Sequence, residues 1–112
     1  MKIKLISFAL MFAFSSSVFS AGSVGYRTID EVAFNTGGFF LYSAEGWVNA
    51  SGCDRTDAVV LLDNGPNYDK AYALALTAYA SGKQLVGYSD NCVVFDGKSY
   101  NMIRSHKYLR VK

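Results

Sequence analysis

The chain has 112 residues and a mass of 12.3 kDa, room for one domain. It is 51% hydrophobic and 18% charged, with ten Gly and one Pro, which excludes a disordered segment, a collagen and a coiled coil. The formal charge of +2 depends on Lys2 and Lys4; without them nine bases face nine acids, and general electrostatic capture of nucleic acid is a poor explanation of such a chain.

Residues 1–20 read as a secretory signal peptide. Lys2 and Lys4 make a short positive start, and Leu5 to Phe14 is apolar apart from Ser7. Val18 and Ser20 suit the small-residue positions of a cleavage site. The apolar run is about half the roughly 20 residues that a membrane-crossing helix needs, so a cleaved leader is expected rather than an anchor. Residues 21–112 then form a single domain that is secreted or periplasmic, with no membrane span. Cys53 and Cys92 are its only thiols, and an even pair in an oxidising compartment predicts a disulfide. A metal or catalytic thiol lacks company, since there is no CxxC spacing and His106 is the sole imidazole.

Val24 to Ala33 reads as a first strand. The Asn35-Thr36-Gly37-Gly38 turn leads into a second over Phe39 to Tyr42, and Ala44-Glu45-Gly46 turns into Trp47-Val48-Asn49. Ala58 to Leu62 is apolar throughout, the pattern of a strand buried on both faces. After Asp63 to Pro66, residues Asn67 to Ser81 are rich in Ala and free of Gly and Pro: a helix, with Asn67 placed to cap it and Gly82 to end it. Gln84 to Ser89 and Cys92 to Phe95 resume strand. Asp96-Gly97 signals a type I′ hairpin into a last strand over Lys98 to Val111. The order β-β-β-helix-β-β describes a β-rich α+β domain.

The helix has little polar circumference. Tyr68, Tyr72, Ala75, Leu76 and Tyr79 make one stripe, while Ala71, Leu74 and Ala78 make another. One sheet covers one side. The other side either meets a neighbouring subunit, through Tyr68, Tyr72, Leu76 and Tyr79, or leaves small Ala residues exposed.

This arrangement resembles the B subunits of AB5 toxins, those of the subtilase-cytotoxin and typhoid-toxin kind. The likeness is carried by Asp30-Glu31-Val32 in the first strand, by Ala75, Tyr79, Ser81 and Gly82 at the helix end, and by the strand that follows. It implies a small OB-like barrel of five to six short strands with one helix after the third or fourth. It also implies a homo-oligomer, a pentameric ring that binds glycans on its flank and carries a toxin A subunit. Where those relatives place a glycan-contacting Ser and an Arg, this chain has Ile29 and Val86, so their sugar site does not carry over.

No Gly-rich phosphate loop, metal-ligand spacing or carboxylate dyad is present, which predicts a non-catalytic protein without a cofactor. On a continuous last strand, Arg104, His106, Tyr108 and Arg110 would share one face, fit either to bind an anion or to guard a sheet edge. Tyr42 and Trp47 flank a turn. Trp47 is either a stacking surface for a sugar or a core residue. The expected role is a secreted, ring-forming, glycan-recognising binding subunit. The alternatives are a stand-alone periplasmic or extracellular domain, and an inhibitor or accessory of another exported protein.

Overall fold

The computed structural model describes residues 21–112, and the expected signal peptide lies outside them. These residues form nine strands and one helix: β1 (Gly22–Ser23), β2 (Arg27–Thr28), β3 (Glu31–Asn35), β4 (Gly38–Tyr42), β5 (Arg55–Leu62), α1 (Tyr68–Ser81), β6 (Gln84–Val86), β7 (Tyr88–Phe95), β8 (Lys98–Ile103) and β9 (Arg110–Val111). The domain is β-rich α+β and OB-like, as expected. Six strands form one sheet in the order β1-β7-β8-β5-β4-β3, and β2-β6-β9 form a second.

Two bent runs serve both sheets. Residues 22–35 supply β1 and β3 to the large sheet and β2 to the small one, while residues 84–95 do the same through β7 and β6. Within them β1 pairs antiparallel with β7 and β2 with β6. The other neighbours of the large sheet are antiparallel too, except that β5 and β8 run parallel. A bent first strand that meets both the second and the fourth, with the third and fifth parallel, is the partly open Greek-key pattern of an OB fold. Hydrogen bonding remains in two sheets and does not close one continuous barrel. The single strand expected over Val24 to Ala33 is instead two short ones, β2 and the start of β3, with β1 just before it, because the run serves both sheets.

Strand β5 is the centre. Ala58, Val59, Val60 and Leu61 are fully buried, so both of its faces are covered. On the inner face, Val59 and Leu61 join Val24, Ile29, Leu41, Trp47, Leu85 and Ile103 in the main core. Helix α1 closes this core with Ala71, Ala75 and Ala78, and such small side chains let the helix backbone sit close to the sheet. Gly82 ends the helix in the left-handed conformation at φ 71°, its N–H donating to the Ala78 carbonyl. Asn67 stands at the other end but does not cap through its side chain: it is itself left-handed at φ 57°, and only its carbonyl accepts, from Lys70 and Ala71.

Trp47 does not lie on a strand. Its backbone N–H donates to Thr56 and that of Val48 to Val24, so this stretch bridges two segments without a ladder. Among the described residues, no helix is long and apolar enough to cross a membrane.

Cys53 and Cys92 are disulfide-bonded and no free cysteine remains. The bond ties the irregular loop before β5 to β7 across a sequence separation of 39. Closing a loop of that size removes denatured-state entropy worth about 4 kcal/mol in the chain-entropy model. Replacing both residues, C53S with C92S, is therefore expected to lower the unfolding free energy in a urea titration by up to about 4 kcal/mol. A native protein that labels with a thiol reagent before reduction would contradict the bond.

Candidate functional site

The outer face of the large sheet carries a second apolar cluster. On β5, Ala58, Val60 and Leu62 point away from the core and meet Phe40 and Tyr42 of β4, Tyr100 of β8, and Val93 and Phe95 of β7. Phe40 is 4% exposed and Tyr100 8%, although no helix covers them. They shield one another instead: Phe95 and Tyr100 stand edge-on to Phe40, with ring centroids 4.9 and 5.0 Å away. Edge-to-face packing places the positive rim of one ring on the negative face of the next.

Two hairpin tips frame this cluster. One is the Thr36–Gly37 turn between β3 and β4; the other is the Asp96–Gly97 turn between β7 and β8, with φ values of 51° and 77°. Paired positive φ values give the type I′ turn that the Asp-Gly dipeptide predicts. The tips enclose a cleft of about 140 Å³ lined by Ala33, Phe34, Asn35, Phe40, Tyr42, Phe95, Asp96 and Tyr100. Phe34 also borders it and is 66% exposed, but its ring packs on Phe39, which stacks on Tyr72 of the helix. The strand faces and hairpin loops of OB folds are where their ligands bind. Burial, with smaller effects from Tyr100, Asp57 and Glu31, holds the Tyr42 phenol above its ordinary pKa. Arg55 lies with its guanidinium 5.9 Å from the Tyr100 ring centroid and is paired to Asp57 at 2.6 Å.

Of the residues singled out in the sequence, Tyr42 lies in this cleft. Trp47 does not: it is 3% exposed, and its Nε1–H donates to the Leu41 carbonyl inside the core. The basic face expected over residues 104–110 does not form, because β8 stops at Ile103 and the next six residues are not strand. Arg104 is held by Asp90 through two 2.7 Å hydrogen bonds, and its guanidinium lies over the Tyr88 ring at 4.2 Å with Tyr108 at 5.6 Å. His106 is exposed on the following loop, and Arg110 is exposed on β9, opposite Val86. Arg104 and His106 border one pocket of about 140 Å³ together with Asp90 and Ser105, and Arg110 is not among its lining residues.

On the helix, Tyr68 and Tyr72 are half-buried, and Tyr72 stacks on Phe39 at 4.1 Å. Leu76 is half-buried and Tyr79 is 44% exposed. The cleft residues that sequence reasoning missed are Phe34, Asn35, Phe40, Phe95, Asp96 and Tyr100. Their signal was the two turns flanked by aromatic residues, but only pairing across β5 brings the tips together.

Among the described residues no group of three or more His, Cys, Asp or Glu side chains is gathered that could hold a metal. The cleft offers aromatic rings for stacking and the Asn35 and Asp96 side chains for hydrogen bonding. Compared with protein-family models, curated proteins and solved structures, the chain matches none.

The Asp90–Arg104 pair gives a pH test of the loop beside this fold. Hydrogen bonding to Arg104 holds the Asp90 carboxyl below the ordinary carboxylate value, despite an opposing effect of burial. A lowered folded-state pKa contributes stability above the unfolded value of about 3.9 and loses it as pH falls through the folded one. The stability difference between the native protein and D90N should therefore be constant near neutrality and shrink below about pH 4. A difference that does not change with pH down to acid unfolding would show that the pair is energetically silent.

Proposed function

We propose that this chain is an exported, non-catalytic binding subunit that recognises glycans through the cleft on its outer sheet face and assembles with copies of itself through its helix. The observation that carries the reading is the aromatic cleft between the hairpin tips, with an amide and a carboxylate at its edge. Sugar rings have one apolar C–H face and a rim of hydroxyls. Aromatic surfaces suit the first, and planar polar side chains suit the second.

Export is supported by the disulfide, which is durable only in an oxidising compartment. Self-assembly is supported by the outer flank of α1. From Ala71 to Ser81 the helix carries no charge, and its exposed positions include Ala73, Thr77, Tyr79 and Ala80. A flank of this kind, small and uncharged with one aromatic residue, is compatible with close approach of a second copy. Tyr68 and Tyr72 contribute less to it, because their rings are engaged with Phe39.

Light scattering on the mature protein should return a mass several times that of one chain. A charged pair on the helix, A73E with T77K, should reduce it to that of one chain while leaving the near-ultraviolet circular dichroism unchanged. A native protein that stays a single chain on concentrating would overturn the assembly. A glycan array with no signal above background would overturn recognition of sugars.

A further inference from the structure

We infer that the cleft takes the ring of an uncharged sugar and turns away glycans that end in a carboxylate or a sulfate. This deepens, and rests on, the glycan reading above. The lining explains the preference. Eight residues border the cleft; one, Asp96, is an acid and none is a cation. The ion pairs of the described residues are Arg27–Glu45, Arg55–Asp57 and Arg104–Asp90, which leave the Asp96 carboxylate without a cationic partner.

A free carboxylate at the rim of a mainly polar-surfaced cleft is an acceptor for sugar hydroxyls, and charge-assisted bonds of this type are the stronger ones. The same carboxylate repels an anionic sugar. Lys98, paired with Phe95 at the base of the same turn, neither borders the cleft nor forms an ion pair with Asp96, and Arg55 is committed to Asp57 at 2.6 Å. Asn35 adds a second polar group at the rim; its side-chain oxygen accepts from the Thr36 N–H, which orients the amide.

Size points the same way. Clefts that bury a drug-sized ligand measure roughly 300–1,000 Å³, and this one measures about 140 Å³. It holds a single ring laid against Tyr42 and Phe95, with the rest of the glycan outside. Nucleic acid is disfavoured by the same electrostatics, since each nucleotide would bring a phosphate to a cleft without a cation.

The test compares native protein, D96N and Y42A on an array of neutral glycans, ending in glucose, galactose, mannose or fucose, and acidic ones, ending in sialic acid or sulfate. Asn tolerates the left-handed backbone that Asp96 adopts, so D96N keeps the turn. Thermal unfolding of each variant checks that it folds. Binding to neutral glycans that weakens about tenfold or more in both variants is the expected result. Preferential binding of acidic glycans, lost in Y42A, would leave the glycan reading standing and overturn the inference of neutrality. Binding that neither folded variant changes would place the sugar elsewhere and overturn the inference as well. No glycan bound at all, with Y42A altering the oligomeric mass, would make the face a contact between copies and overturn both readings.

Discussion

Strand β5 is apolar on successive residues from Ala58 to Leu62, so both faces of the sheet at its centre must be taken out of water. An α+β domain of this length has one helix to spend, and it covers the inner face. The outer face needs another cover, and the chain provides it from the sheet itself. Phe40, Phe95 and Tyr100 lean over Ala58 and Val60. Aromatic side chains are large enough for this because each buries roughly 150–250 Å². The consequence is a patch of interlocked rings in which Phe40 and Tyr100 are buried while Phe95 and Tyr42 keep partial exposure. The candidate site is thus a by-product of how the centre of the sheet is kept dry.

A polar clamp holds the parallel pair on which this depends. Asn101 on β8 is fully buried, yet its amide is satisfied: Oδ1 accepts from the Ser51 N–H, and Nδ2 donates to Asn49 Oδ1. Asn49 in turn donates to the Cys53 carbonyl and accepts from the Cys53 N–H. The loop before β5 is therefore stitched to β8 by hydrogen bonds and to β7 by the disulfide. Buried polar groups with every partner in place specify one arrangement, whereas a single missing partner would cost the full desolvation penalty. It also means that Asn49, the first residue of an Asn-Ala-Ser sequence, has its amide already engaged.

What the residue pattern revealed follows from whether a feature is local. The helix, the Gly82 terminus, the Asp96–Gly97 turn and the doubly buried run at Ala58–Leu62 are encoded within a few residues, and each is present. The cysteine pair was legible because compartment and parity leave one economical answer. The rest needed tertiary information. The bend in residues 22–35 arises because that run must pair with β7, β6 and β4 in turn. Trp47 could stack or be buried by sequence alone, and the Leu41 carbonyl decided in favour of burial. The alternation of Arg104, His106 and Arg110 looked like a strand face, but Asp90 and two Tyr rings hold Arg104 out of it. The rings of the outer cluster come from β4, β7 and β8, and no local period joins them.

The helix and the cleft lie on opposite faces of β5, and this bears on how the two proposed activities combine. Contacts made by the outer flank of α1 are separated from the cleft by the core and the sheet, so assembly through one does not occlude the other. A cleft that takes a single sugar ring makes few contacts, and its affinity for one glycan is correspondingly low. Several copies held rigidly in one assembly convert later encounters into intramolecular ones, and the gain in avidity is typically about 10²–10⁴ without a new contact at any site. On the proposed reading, a shallow site and an uncharged helix flank are thus complementary: assembly through the second would supply by repetition what the first lacks in depth.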